Sequence, residues 1–325
     1  MQTERLAADR TGIARAALLL KRGENVAIPT ETVYGLAGLA ASDTAVSGIF
    51  HAKGRPADNP LIVHVSDFAS VERLAVVGSE INALVERFMP GPLTIVLQHR
   101  EGVVDAARAG LSTVALRIPA NDLALALISA VGPLVAPSAN SSGRPSPTDP
   151  SHVLADLDGK IAGVLMAGTC QIGIESTVLD MSREVPRILR PGAIEGDQIA
   201  AVLGRQPEAY RDSDRAIAPG MRHRHYAPTV PISVIEVTGT ELLGDAIETC
   251  IARIDDVDWL LIPRGAKRYS WSEVSVHQYD ASNFYQLLRA AEQADAKRLT
   301  IVVDVATATA GLLDRIRRAA GAASR

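Results

Sequence analysis

The stretch FHAKGRPADNPLIVHV, residues 50 to 65, sets two cations, Lys53 and Arg55, on either side of a glycine. A proline-punctuated loop follows, then a short apolar run containing His64. Two chemistries suit this arrangement. One is structural: lysine and arginine at a helix C-terminus complement the macrodipole, each contributing about 0.3–1 kcal/mol. The other is an anion site, with two fixed charges aimed at phosphate or carboxylate. The segment SDTAVSGIFHAKGRP reads as a helix capped by Ser42 or Asp43, with Ala45, Ile49 and Phe50 at helical spacing. Gly54 stands where a C-terminal glycine is expected and Pro56 lies just beyond.

Further polar residues stand at the ends of apolar runs, where sheet-based sites are built. AIPTETVYGL offers Thr30, Glu31, Thr32 and Tyr34 in a turn, where hydroxyls also serve simply to bond the backbone. PLIVHV puts His64 and Ile62 on one strand face, opposite Leu61, Val63 and Val65. STVALRIPAN places Arg117 on a face with Ala115 and Thr113, and a buried guanidinium demands an anionic partner. LVAPSANSSGRPSPT runs from a strand into a loop carrying Ser138, Asn140, Ser141, Ser142, Arg144, Ser146 and Thr148. Such loops bind phosphate through hydroxyls and backbone N–H groups, although Ser/Pro linkers have the same composition. ESTVLDM and RILRPGAI add Ser176 and Arg190. At an effective dielectric of about 20, one charge pair at about 4 Å contributes roughly 4 kcal/mol. Lys53, Arg55, Arg117 and Arg190 therefore call together for a polyanion, and ATP is the small-molecule candidate. There is no GxxxxGK[ST], HExxH, GxSxG or CxxC, and the seven histidines are scattered apart from His223 and His225, so no all-protein metal site is expected.

These residues need elements to hold them. Residues 10–205 alternate β-rich runs (NVAIP, PLIVHV, LTIVLQ, TVALRIP, PLVAPS, GVLMAG, STVLDM, RILRPG) with helical patterns at 10–22, 43–53, 69–76, 79–88, 121–131, 149–157 and 196–203. That interleaving predicts an α/β domain over 1–205 around a twisted, largely buried mixed sheet. Over 206–230 periodicity gives way to Pro, Gly and charge, which reads as a linker. Residues 231–325 resume with strands ISVIEV, WLLIP and LTIVVDVA and helices near 241–253, 281–296 and 308–319, a smaller Rossmann-like α/β domain without a glycine-rich phosphate fingerprint.

Bulk properties narrow the function classes. With 47% apolar and 22% charged residues, the 325-residue chain has core enough for two domains. Its two cysteines, Cys170 and Cys250, fit a reducing compartment and exclude a four-cysteine zinc site. No apolar run reaches the roughly 18 residues of a spanning helix, and MQTERLAADRTG lacks signal-peptide order, so a cytoplasmic location is expected. Net charge is −4, and residues 1–205 carry 18 Lys and Arg against 21 Asp and Glu, which argues against a broad nucleic-acid face.

The motifs PTETVYGL, KGRP…NPL…H, PGPLT, RIP, APSAN.SG.PSPT, STV.D and RPG.I follow one another in that order. They resemble the YrdC-type threonylcarbamoyl-AMP synthase family. The linker APGMRHRHYAP and the domain after it resemble the family's long two-domain form, strongly through the linker and weakly over 231–325. The resemblance implies synthesis of L-threonylcarbamoyladenylate and pyrophosphate from L-threonine, bicarbonate and ATP, with Mg²⁺ accompanying ATP and no tightly bound organic cofactor. It implies nucleotide binding by Lys53, Arg55, Asn59, Thr113, Ser138, Asn140, Thr148, Arg190 and Tyr226, with Lys53 and Arg55 acting in catalysis. It assigns threonine to Thr32, His64, Arg117 and Ser176, His64 either touching threonine or shaping its pocket. The linker, with Arg222, Arg224 and Tyr226, would close over the site. The product would pass to a complex that modifies tRNA, with no membrane contact and no strong direct nucleic-acid binding. Rival readings are a double-stranded RNA-binding module, carbamoyl chemistry in hydrogenase maturation, and an ATP-dependent ligase for another amino acid.

Overall fold

The computed structural model describes residues 2–209, 226–252, 258–266 and 275–321. The linker expected over 206–230 falls mainly on 210–225, outside the described residues, as do Arg222 and Arg224. Two compact units are present: Gly143–Pro145 group with the C-terminal part of the chain, and the rest of the N-terminal part forms the first unit.

The first unit opens with β1 (Glu4–Ala7), α1 (Arg10–Lys21), β2 (Val26–Ile28), β3 (Gly35–Leu39), α2 (Asp43–Lys53) and β4 (Ile62–His64). It continues with α3 (Phe68–Leu74), α4 (Ser79–Phe88), β5 (Leu93–Gln98), α5 (Asp105–Arg108), β6 (Thr113–Arg117) and α6 (Asp122–Val131). β7 (Leu134–Val135), α7 (Pro150–Leu157), β8 (Gly163–Met166), β9 (Thr177–Asp180), β10 (Arg187–Arg190) and α8 (Gly196–Leu203) complete it. Among the described residues its strands form one ten-stranded sheet in the order β1-β8-β2-β3-β7-β4-β6-β5-β9-β10. The sheet is mixed: β4 runs parallel to β6, whereas β5 runs antiparallel to β6 and parallel to β9.

Strand alternation gives this sheet two different faces. Val63, Leu93, Ile95, Leu97, Val114, Leu116 and Leu179 enter the main core. Their neighbours Ile62, Val96, Ala115 and Val178 point the other way and form a small separate apolar cluster with Leu189. His64 and Arg117 share that second face, since they pair in register and lie two residues beyond Ile62 and Ala115.

Local chemistry explains α2, the element beneath the cationic corner. Ser42 caps it by accepting from Ala45 N at 3.2 Å, and Ala45, Val46 and Ile49 fill its buried face. It ends at Gly54, which adopts the left-handed conformation with φ 60° and ψ 36°. β1, β3 and α5 were not expected from the sequence, and PLVAPS contributes only Leu134–Val135 as strand. The glycines of GLAGL suggest a turn. In β3 they instead allow close approach: a Cβ on Gly38 would stand 2.8 Å from Asn25 Nδ2, and one on Gly35 3.0 Å from Ala136 Cβ.

The second unit contains β11 (Ile232–Val237), α9 (Thr240–Ile251), β12 (Asp258–Pro263), β13 (Ser275–Tyr279), α10 (Phe284–Gln293), β14 (Arg298–Asp304) and α11 (Ala310–Ala319). Its described strands pair in parallel in the order β11-β14-β12-β13, the smaller layered α/β sheet expected, with β13 as an unforeseen edge strand. Within this unit Arg144 is ion-paired to Glu292 at 2.7 Å and Arg289 donates to the Pro145 carbonyl at 2.6 Å. Among the described residues no helix is long and apolar enough to cross a membrane.

Candidate functional site

Lys53 ends α2 almost fully buried, and its Nζ donates to the carbonyls of Ser138 and Asn140 at 2.5 and 2.6 Å. Ser142 N returns a bond to the Lys53 carbonyl at 2.9 Å. The ammonium thus clamps the head of the hydroxyl-rich loop to the helix end. Burial, reinforced by the nearby Arg55 charge, holds the Lys53 pKa well below the ordinary lysine value. Arg55 is half-buried and donates to the Pro60 carbonyl at 3.3 Å. Asn59 and Thr148 are buried in the loops on either side, Thr148 Oγ1 without a hydrogen-bond partner.

The turn after β2 meets both this loop and the second sheet face. Tyr34 N donates to the Pro147 carbonyl and Ala139 N to the Tyr34 carbonyl, each at 2.8 Å. Ile172 N and Gly173 N donate to the carbonyls of Glu31 and Thr32. Across the sheet, Arg117 Nη2 donates to Thr32 Oγ1 at 3.0 Å and Nε donates to the Gly91 carbonyl at 3.2 Å. The anion demanded by this buried guanidinium is Glu31, whose Oε1 lies 2.7 Å from Nη2. His64, next to Arg117 on β4, is buried with Nδ1 unpartnered; desolvation, then the Arg117 charge, pushes its pKa down to about 3, so the ring is neutral.

On the neighbouring strands Ser176 Oγ lies 2.8 Å from Thr94 Oγ1. Arg190 donates to the Ser176 carbonyl through Nε at 3.2 Å and Nη2 at 2.9 Å, and to its hydroxyl at 3.1 Å. Thr113 opens β6, four residues before Arg117. One unit therefore gathers Thr32, His64, Arg117, Ser176 and Arg190 on and beside a sheet face, with Lys53, Arg55, Asn59, Ser138, Asn140 and Thr148 around the adjoining loops. Tyr226 is placed elsewhere in the chain's organisation. It is buried within the second unit, with Arg315 over its ring at 5.1 Å and Tyr285 5.5 Å away.

Tyr34 has a structural role: its hydroxyl donates to the Gly168 carbonyl at 2.8 Å, and burial raises its pKa. Two partners escaped the sequence reading. Glu31 was visible only as a turn residue, and Thr94 as part of LTIVLQ; for Thr94 a lone polar residue within an apolar strand was the available signal. These arrangements suit substrates with several negative charges more than a covalent nucleophile, because the Ser176 and Thr32 hydroxyls bond Thr94 and Arg117 rather than a histidine base.

Similarity to known proteins agrees with that chemistry. Residues 18–192 match the Sua5, YciO and YrdC family, which carries the description Telomere recombination. Residues 194–321 match the family Threonylcarbamoyl-AMP synthase, C-terminal domain. The threonylcarbamoyl-AMP synthase of Pyrococcus abyssi is 40% identical over 320 residues, 94% of this chain and 93% of that protein. The Bacillus subtilis enzyme of the same name is 48% identical over 240 residues, 72% of this chain and 69% of that protein. The crystal structure of P. abyssi Sua5 complexed with L-threonine matches with a TM-score of 0.88 at 36% identity, covering 99% of this chain and 98% of that one. The chain belongs to the Sua5/YrdC family of threonylcarbamoyl-AMP synthases, ATP-dependent enzymes that transfer an adenylyl group.

Proposed function

We propose that this chain condenses L-threonine, bicarbonate and ATP into L-threonylcarbamoyladenylate and pyrophosphate in the cytoplasm, for transfer by a partner complex to an adenosine of tRNA. The observation that carries the reading is the convergence, in one unit, of a cationic helix end clamped to a hydroxyl loop with a buried arginine on the adjoining sheet face.

Each substrate has a chemical complement. Arg117 suits a carboxylate, which a guanidinium grips through two parallel N–H bonds. Neutral His64 and the Ser176 hydroxyl suit the remaining polar atoms of threonine. Lys53, Arg55 and Arg190 suit phosphate, with Asn59, Thr113, Ser138, Asn140 and Thr148 supplying amide and hydroxyl groups. A carbamate oxygen would attack the α-phosphorus as pyrophosphate leaves. Such a step needs positioning and charge neutralisation rather than a protein nucleophile. The product is a reactive mixed anhydride, and the burial of these side chains keeps water from it.

The donor set does not fit a protein-held Mg²⁺. It is mainly cationic and hydroxylic, its carboxylates Glu31, Asp156 and Glu175 are engaged by Arg117, Ser141 N and the Ser146 hydroxyl, and among the described residues no group of three or more His, Cys, Asp or Glu could hold a metal ion. Magnesium is therefore assigned to ATP as part of that substrate. The test is pyrophosphate release from ATP and Mg²⁺ with bicarbonate and each amino acid in turn, for the full chain and Arg55→Ala. Release that requires threonine and bicarbonate and collapses in the variant supports the proposal. Threonine-independent behaviour with RNA binding sinks it.

A further inference from the structure

Glu31 is only 5% exposed, yet neither of its carboxylate oxygens accepts a hydrogen bond. Among the described residues its ion pair is with Arg117, 2.7 Å away, whose Nη2 and Nε donate instead to Thr32 Oγ1 and the Gly91 carbonyl. A buried carboxylate without donors is costly unless a ligand supplies them. The backbone leaves it little freedom to seek others: Ile172 N holds the Glu31 carbonyl at 2.8 Å, and Thr30 Oγ1 anchors the turn through Thr32 N and Val33 N at 3.2 Å each.

The substrates of the proposed reaction differ sharply in what they could offer here. ATP, bicarbonate and the threonine carboxylate are anions and repel Glu31. The threonine ammonium alone brings both N–H donors and positive charge. An Arg–Glu pair is, moreover, the electrostatic complement of an amino acid's zwitterionic head, with guanidinium toward carboxylate and carboxylate toward ammonium.

We propose that Glu31 binds the α-ammonium of threonine and takes the proton it must lose before the carbamate forms, an assignment that rests on the synthase reading. The ammonium passes one proton to the Glu31 carboxylate, giving amine and carboxylic acid. The amine lone pair then forms the N–C bond to bicarbonate. The C–OH bond breaks, and hydroxide leaves with the second nitrogen proton as water, so amine and bicarbonate become carbamate and water. A role confined to neutralising Arg117 would involve the ammonium in none of this.

The test is calorimetric titration of the full chain with threonine and with 3-hydroxybutanoate, which replaces the amino group by hydrogen. Wild type binds threonine roughly 10–100-fold more tightly, the range for a hydrogen bond to a charged group. In Glu31→Gln the ratio shrinks to within about 3-fold, and pyrophosphate release at saturating threonine falls about 100-fold or more. An undiminished ratio in a folded Glu31→Gln overturns the proposal. Should that variant fail to fold, equal binding of the two acids by wild type overturns it, and a preserved preference in Glu31→Asp supports it. Wild type that binds neither acid overturns the synthase reading and the role of Glu31 with it.

Discussion

Lys53 joins two parts of the site that lie far apart in sequence, since one ammonium serves the carbonyls of both Ser138 and Asn140. Lys53→Met keeps most of the volume but strands both acceptors. We expect a stability loss on the order of 2 kcal/mol in urea unfolding, with threonine-dependent pyrophosphate release reduced by two orders of magnitude or more. His64 carries a prediction about acid. Its pKa falls from an ordinary 6.5 to about 3 in the folded chain. Between those values the unfolded chain binds a proton that the folded chain refuses, so stability rises with pH across this window. The full contribution is present above pH 6.5 and is lost as pH falls toward 3. At pH 5 the loss relative to pH 7 is about 2 kcal/mol. Urea unfolding at the two pH values should therefore show wild type losing about that much more than His64→Asn. Equal losses would mean that the ring is not desolvated as described.

Glycines set the elements that aim these side chains. A Cβ on Gly54 would meet nothing within 4 Å, so Gly54→Ala costs only the left-handed backbone, about 1 kcal/mol. Gly192 differs. A Cβ there would collide with the backbone of Glu175, Ser176 and Thr177, the stretch that Arg190 grips. Gly192→Ala should cost about 3 kcal/mol and lower the melting temperature well beyond the Gly54→Ala shift; equal shifts would contradict this packing. The contrast also shows what the sequence can say. Helix α2 was legible to its ends because its cap, apolar spacing and terminal glycine are all local. So was the facing of His64 and Arg117, which follows from period two. Strand β3 was not, because its glycines answer to Asn25 and Ala136 from elsewhere in the chain. The partnership of Arg117 with Glu31 was equally hidden. Burial foretold an anion, but its identity depends on how β6 and the turn after β2 come together, with 85 positions separating Thr32 from Arg117.

At the scale of the whole molecule, the balance of 33 Lys and Arg against 37 Asp and Glu argues against a broad nucleic-acid face. Double-stranded RNA binding draws its affinity from many phosphate contacts and weakens steeply with salt. At about 0.15 M salt the full chain should therefore show no tight duplex RNA binding in a filter assay, and high-affinity retention would revive the RNA-module reading. Family membership spans both units, with matches over 18–192 and 194–321. The account's central claim is that one site in the first unit joins three substrates. The measurement that tests it most directly is mass spectrometry of the product formed by the full chain from ATP, L-threonine and ¹³C-bicarbonate. We predict L-threonylcarbamoyladenylate carrying a single ¹³C, released together with pyrophosphate. Unlabelled adenylate, or ATP consumed only to ADP and phosphate, would contradict it.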